Sequence, residues 1–127
     1  MKSLIFFETE NITLNIINEK IVHTYIKDFK KATIKDAKNI RGFLNSHYKD
    51  QQLVSLFEFG VESTINQELR EYLADPNREK YSNKVALLVK NLNQQLVGSS
   101  FLKYQNPSFP TKVFYDKHKA IDWLIKD

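Results

Sequence analysis

Between Ile12 and Ile26, apolar and polar residues alternate with a period of two, broken once at Asn18-Glu19-Lys20. Before the break Ile12, Leu14 and Ile16 point one way; after it Ile21, His23 and Tyr25 alternate with Val22, Thr24 and Ile26. That period, in residues rich in Ile, Val, Thr and Tyr, predicts a β-hairpin. The break contains no glycine, which leaves its turn type open. From Thr33 the period lengthens. Ile34, Ala37, Ile40, Phe43 and Leu44 recur every three or four residues, the stripe of an amphipathic helix. Thr33 can cap its free amides, and Asp36 falls at the third helical position, where a carboxylate suits the helix dipole. Leu53 to Phe59 is apolar nearly throughout, as in a strand covered on both faces, and Gly60 closes it.

Thr64-x-x-Gln67 then has the form of a capping box, followed by Ile65, Leu69, Tyr72 and Leu73 on one helical face. Asp75-Pro76 stops that helix. Val85 to Val89 repeats the buried-strand pattern, and Asn91 or Asn93 opens a third helix with the stripe Leu92, Leu96, Val97, Phe101 and Tyr104. Two prolines make Asn106 to Pro110 a loop. Thr111 to Tyr115 reads as a short strand, and Asp116 caps a last helix carrying Ala120, Ile121, Trp123, Leu124 and Ile125.

The predicted order is β-β-α-β-α-β-α-β-α. It implies an α/β fold with a mainly parallel five-stranded sheet, led by a hairpin and covered by about four helices. There is no internal repeat, linker or low-complexity tract, so residues 1–127 are expected to form one domain.

Composition fits a globule: 42% hydrophobic and 27% charged residues, with three glycines and three prolines. The absence of cysteine excludes disulfides, thiolate metal sites and a cysteine nucleophile, and fits a reducing, cytoplasmic setting. The apolar run near the N-terminus breaks at Glu8 and Glu10, too short for a secretory core or a membrane span. The net charge of +4 is spread out: nine basic and eight acidic residues precede Thr64, and ten and seven follow it. The densest basic run is Lys27, Lys30, Lys31, Lys35, Lys38 and Arg41, interrupted by Asp28 and Asp36 and read mainly as a solvated helix face.

Candidate chemistry is sparse. Gly42, Gly60 and Gly98 are isolated, so neither a phosphate-binding loop nor a dinucleotide fingerprint is present. His23, His47 and His118 fall on different elements with no metal-ligand spacing. Gly98-Ser99-Ser100 lies inside a helix, where small residues serve packing rather than a nucleophile elbow. No metal or cofactor is therefore expected. Glu58 stands out as a carboxylate inside an apolar strand, at the sheet's carboxyl edge where open α/β sheets place ligands. Phe101, Tyr104 and Phe109 belong to an aromatic-rich C-terminal third. Helical spacing assigns most of those aromatics to a core rather than to base stacking, and no nucleic-acid partner is expected. Phe109, between Pro107 and Pro110, has no periodic reason to be buried and is a candidate contact residue.

Three stretches resemble a group of small bacterial STAS-like proteins. They are Lys84-Val-Ala-Leu-Leu-Val-Lys-Asn-Leu-Asn, Gly98 through Asp116 with its Asn-Pro-Ser-Phe-Pro-Thr loop, and Ala120-Ile-Asp-Trp-Leu. The resemblance implies the anti-sigma-factor-antagonist type of fold, likened also to CRAL-TRIO lipid-binding domains. Signalling members carry a phosphorylatable serine in an Asp-Ser-Ser-Gly-like turn after the third strand. The corresponding segment, Gly60 to Gln67, lacks that motif. Ser63 and Thr64 are its nearest hydroxyls and so the candidate phosphate acceptors, although both suit helix capping better. The expectation is a non-enzymatic protein-interaction module that docks a partner, or a second copy of itself, through the helix-2 face and nearby loops. The alternative is a binder of a small apolar or lipid-like ligand, and in either case Glu58, Phe101, Tyr104 and Phe109 are the candidate contacts to ligand or partner. These two readings part on whether an apolar pocket of a few hundred Å3, about the size of a ligand site, lies beside Phe101 and Phe109.

Overall fold

The computed structural model describes residues 6–48, 52–75, 82–105 and 109–126. The strands are β1 (Phe6–Glu8), β2 (Ile12–Ile17), β3 (Ile21–Ile26), β4 (Lys31–Ala32), β5 (Leu53–Phe59), β6 (Thr64–Ile65), β7 (Ser82–Leu88) and β8 (Thr111–Phe114). Four helices join them: α1 (Ile34–His47), α2 (Gln67–Ala74), α3 (Leu92–Ser100) and α4 (Lys117–Ile125). A π-helical turn, Phe101–Gln105, continues α3.

Six strands form one sheet in the order β1-β2-β3-β5-β7-β8, antiparallel through β3 and parallel from there on. The mainly parallel α/β fold with four helices is as expected, with one strand more than the five predicted. The added strand is β1, whose Phe-Phe-Glu is too short to show a period and is fixed by pairing with β2, Phe6 opposite Asn15. In the hairpin, Asn18 and Glu19 take left-handed φ values of 54° and 59°. Lys20 N–H donates to Ile17 C=O at 3.1 Å. This is a turn of the primed type, whose twist matches that of the strands.

The order β3-β5-β7-β8 advances in one direction, so right-handed crossovers deliver α1, α2 and α3 to the same face. There Ile40 and Leu44 of α1, Leu69 of α2 and Phe101 pack on Leu14, Ile16, Phe59 and Leu87. The opposite face is closed by α4, whose Ala120 and Leu124 pack on Ile21, Leu56, Ala86 and Leu88. Lys84 Nζ terminates α4 by donating to Trp123 O at 2.6 Å and Lys126 O at 2.8 Å.

Thr33 caps α1 and forms a capping box with Asp36. The buried Asp36 carboxylate also accepts from Thr9 Oγ1 at 2.8 Å and Asn11 Nδ2 at 3.1 Å, tying the β1–β2 connection to the helix.

Two helix readings need correction. The N-cap of α2 is Asn66, whose side chain accepts from Leu69 N–H, and not Thr64. Thr64 and Ile65 instead pair with Lys31 and Ala32 in the two-stranded β4–β6 ladder, which outcompetes the local cap. On α3, Leu92 and Leu96 are exposed while Gln94 and Gly98 are buried. The helix is turned by Gln94, which holds loop carbonyls, and by Gly98. A Cβ on Gly98 would stand 3.0 Å from Val113 and 3.4 Å from Leu87. Ile125 of α4 is likewise exposed. The basic run is not one patch. Lys27 pairs with Glu8, Lys30 with Glu10, and Arg41 donates to Tyr72 Oη. Among the described residues no helix is long and apolar enough to cross a membrane.

Candidate functional site

The carboxyl ends of β3, β5 and β7 and the start of α4 bring together side chains of the face that α4 covers. His23 and Tyr25 share the parity of Ile21 on β3, and Glu58 shares that of Leu56 on β5. His23 Nε2 lies 2.8 Å from Glu58 Oε1; Lys117 Nζ is 3.5 Å from the same oxygen, and Lys90 Nζ is 3.4 Å from Oε2. His23 and Glu58 side chains are only 13% and 15% exposed. Burial lowers the His23 pKa below its ordinary value, and the Lys117 charge adds to this, against the opposing pull of Glu58. For Glu58, burial acts upward, but the His23 hydrogen bond and the charges of Lys117, His23 and Lys90 outweigh it and leave its pKa lowered. At neutral pH the pair is a neutral imidazole donating to a charged carboxylate. The cluster holds a largely buried carboxylate against one imidazole and two ammonium groups.

Next to this cluster, the loops after β3 and β5 are locked together. Asp28 Oδ1 accepts from Tyr25 Oη at 2.6 Å and from Val61 N–H at 2.9 Å. Phe29 N–H donates to Val61 C=O at 2.7 Å, and Gly60 N–H to Ile26 C=O at 2.8 Å. The Asp28 hydrogen bond pushes the Tyr25 hydroxyl up to about 12, with burial and the Asp28 charge adding to it. The Tyr25 hydroxyl and the Val61 amide in turn hold Asp28 below its ordinary value. Gly60 is required at the junction: a Cβ there would lie 2.4 Å from Ile26 O, 2.5 Å from Asp28 Oδ1 and 2.8 Å from Tyr25 Oη. Buried Gln94 adds the third loop. Its Nε2 donates to Gly60 O at 2.8 Å and Ser63 O at 3.2 Å, and its Oε1 accepts from Lys90 N–H at 2.8 Å.

On this scaffold stands Phe29, 74% exposed and with a φ of 62°. Left-handed backbone crowds Cβ against the carbonyl, a penalty of about 1–2 kcal/mol for a residue other than glycine. Val61, from the neighbouring loop, is exposed beside it, and Glu62 also has a positive φ, 53°. A large apolar side chain is thus held in water by a strained, hydrogen-bonded backbone.

A family model described as domain of unknown function (DUF7793) matches residues 15–126. The chain belongs to that family. No curated protein matches it. Among solved structures it is similar to an uncharacterised protein of the DUF3478 family with a SpoIIAA-like fold from Shewanella loihica PV-4. That similarity has a TM-score of 0.58 at 18% identity and covers 98% of each chain. The STAS-like fold implied by the sequence resemblance is therefore the fold of this DUF7793 domain.

Of the residues singled out from sequence, Glu58 lies in the charged cluster with His23. Phe101 is buried in the core, and Phe109 is half-buried and packs against the same core. The Tyr104 side chain lies outside the described residues, as does the Asn106–Ser108 part of the predicted loop. Among the described residues the space beside Phe101 and Phe109 is a void of about 30 Å3, room for a water and not for a ligand. Ser63 is buried, its hydroxyl donating to Gly60 O at 3.0 Å, and Thr64 is half-buried in the β4–β6 ladder. Tyr25, Asp28, Phe29, Lys90, Gln94 and Lys117 were not singled out as site residues. The signal for Phe29 was present: an aromatic in the polar run Lys27-Asp28-Phe29-Lys30, outside any apolar period.

Proposed function

We propose that the chain is a single STAS-like domain acting as a non-enzymatic protein-interaction module. It docks its partner on the loops at the carboxyl edge of the sheet, with Phe29 as the apolar anchor and the Glu58 cluster as a charged flank. The observation that carries this is the conformation of Phe29: exposed, strained, and held by the Tyr25–Asp28–Val61 hydrogen bonds. Strain kept at an exposed aromatic fits a contact residue better than a packing residue. The cysteine-free composition fits a cytoplasmic setting for this role. The apolar-ligand reading has less support, because a void of about 30 Å3 is far below the roughly 300–1,000 Å3 of ligand sites. Phosphorylation at Ser63 or Thr64 has little support, since the Ser63 hydroxyl is engaged inside the loop junction and Thr64 sits in the β4–β6 ladder.

The test is affinity capture from native extract, with light scattering on the purified protein, for the wild type and Phe29→Asn. A defined partner or dimer that Phe29→Asn loses, with its fold intact, supports the reading. An inert monomer in both assays, or a partner retained unchanged by the variant, refutes it.

A further inference from the structure

A second surface differs from the first. β1 opens the strand order of the sheet, so its outer edge has no strand partner among the described residues. Beside it, between β1 and α1, runs an open groove of about 520 Å3. Its walls carry an aromatic ladder: the Phe7 and Phe43 rings are 4.9 Å apart, and Phe43 and His47 are 4.5 Å apart.

Gly42 lies on the same groove, inside α1. Glycine in a helix interior costs about 1 kcal/mol relative to alanine. Gly98 of α3 has a packing reason, but a Cβ on Gly42 would meet nothing within 4 Å among the described residues. The fold does not need this glycine; the groove does, because any side chain there would grow into it. Charge supplies the last element. Glu8 of β1 is paired with Lys27, whereas Lys38 on the α1 wall of the groove has no partner among the described residues. The uncompensated charge of the groove is positive.

We infer that this groove binds an extended, acidic peptide segment of a partner protein, added as a strand along the outer edge of β1. Main-chain hydrogen bonds to the edge give affinity. Alternate side chains enter the groove over Gly42 and the Phe7–Phe43 ladder, and acidic ones meet Lys38. The surface shares no residue with the Phe29 loops, so either reading can fail alone.

The experiment titrates the 15N-labelled full chain with an octapeptide of alternating Val and Glu, using alternating Val and Lys as the control. The expected result is saturating amide shifts at Phe7, Glu8 and Thr9 and at Asn39, Gly42 and Phe43. Reversal of the Lys38 contact should make the lysine peptide about three-fold weaker. Gly42→Leu should abolish the shifts while its melting temperature stays at or above that of the wild type, which separates a filled groove from an unfolded helix. Equal binding of both peptides, shifts centred on the Phe29 loops, or full binding by Gly42→Leu would overturn the inference. So would concentration-dependent self-association through the same residues, because the occupant would then be a second copy.

Discussion

Replacing Phe29 by Asn should make the protein more stable, although it removes a large apolar side chain. Two terms decide the sign. Relief of the left-handed backbone at φ 62° is worth about 1–2 kcal/mol for a residue such as Phe, and Asn tolerates that region better than other non-glycine residues. Against this stands the buried share of the ring. With 74% of the residue exposed, about a quarter is covered, roughly 50 Å2 of a side chain that can bury about 200 Å2. At about 25 cal/mol per Å2 its complete loss would cost about 1.2 kcal/mol, and Asn keeps about half of that cover through its own inner atoms. The balance is a gain of about 0.5–1 kcal/mol, or roughly 2–4 °C in melting temperature for a domain of this size. Urea denaturation of wild type, Phe29→Asn and Phe29→Val checks it. Valine, β-branched and ill suited to positive φ, should be less stable than the wild type. If Phe29→Asn loses more than about 1 kcal/mol, Phe29 is a packing residue and the case for an anchor fails with it.

Four further outcomes follow from the same geometry. Gly60→Ala should lose about 3 kcal/mol in denaturant unfolding, since its Cβ meets backbone and a held carboxylate that cannot withdraw; near-wild-type stability would mean that the loop junction is soft. Asp36→Ala should lose about 2–4 kcal/mol, combining a helix cap with two tertiary hydrogen bonds; a loss below about 1 kcal/mol would reduce Asp36 to a cap alone. By NMR the His23 ring should titrate below 6.5, lower still in Glu58→Gln and higher in Lys117→Met, and the reverse order would disprove the cluster. The His23 pKa is lowered on folding, so its contribution to stability is present above 6.5 and is lost as pH falls through the folded value. Glu58 is lowered too, and its contribution is present above 4.5 and lost on further acidification. Both act in one direction, and unfolding midpoints should fall as the solution is acidified from pH 7.

The fold was largely legible because its strongest signals are periodic. The alternation in β2 and β3 and the apolar runs of β5 and β7 survive in the sheet register, and Thr33-Asp36 capped α1 as its chemistry required. What was illegible came from competition between distant groups. Thr64 suits a cap locally, yet the ladder with Lys31 takes it. Leu92 and Leu96 suit a core stripe, yet Gln94 and Gly98 turn them outward. Of the candidate site, Glu58 and His23 were visible as chemically odd residues. Their meeting depends on the register of β3 against β5, and Lys90 and Lys117 arrive from two other elements. Phe29 was visible as an aromatic out of period in a polar run, but its left-handed backbone and the hydrogen bonds that hold it are set by the loop after β5 and carry no local pattern.

The division of helices between the two faces also governs assembly. α1, α2 and α3 cover their side of the sheet progressively, each in step with the strand that follows it. The other side, with Ile21, Val54, Leu56, Ala86 and Leu88, receives only α4, the last element in the order. A chain emerging from the ribosome therefore carries a finished three-helix layer over an apolar strip that stays open until α4 has been made. During that interval the open apolar strip is an aggregation hazard, and closing it falls to α4 alone.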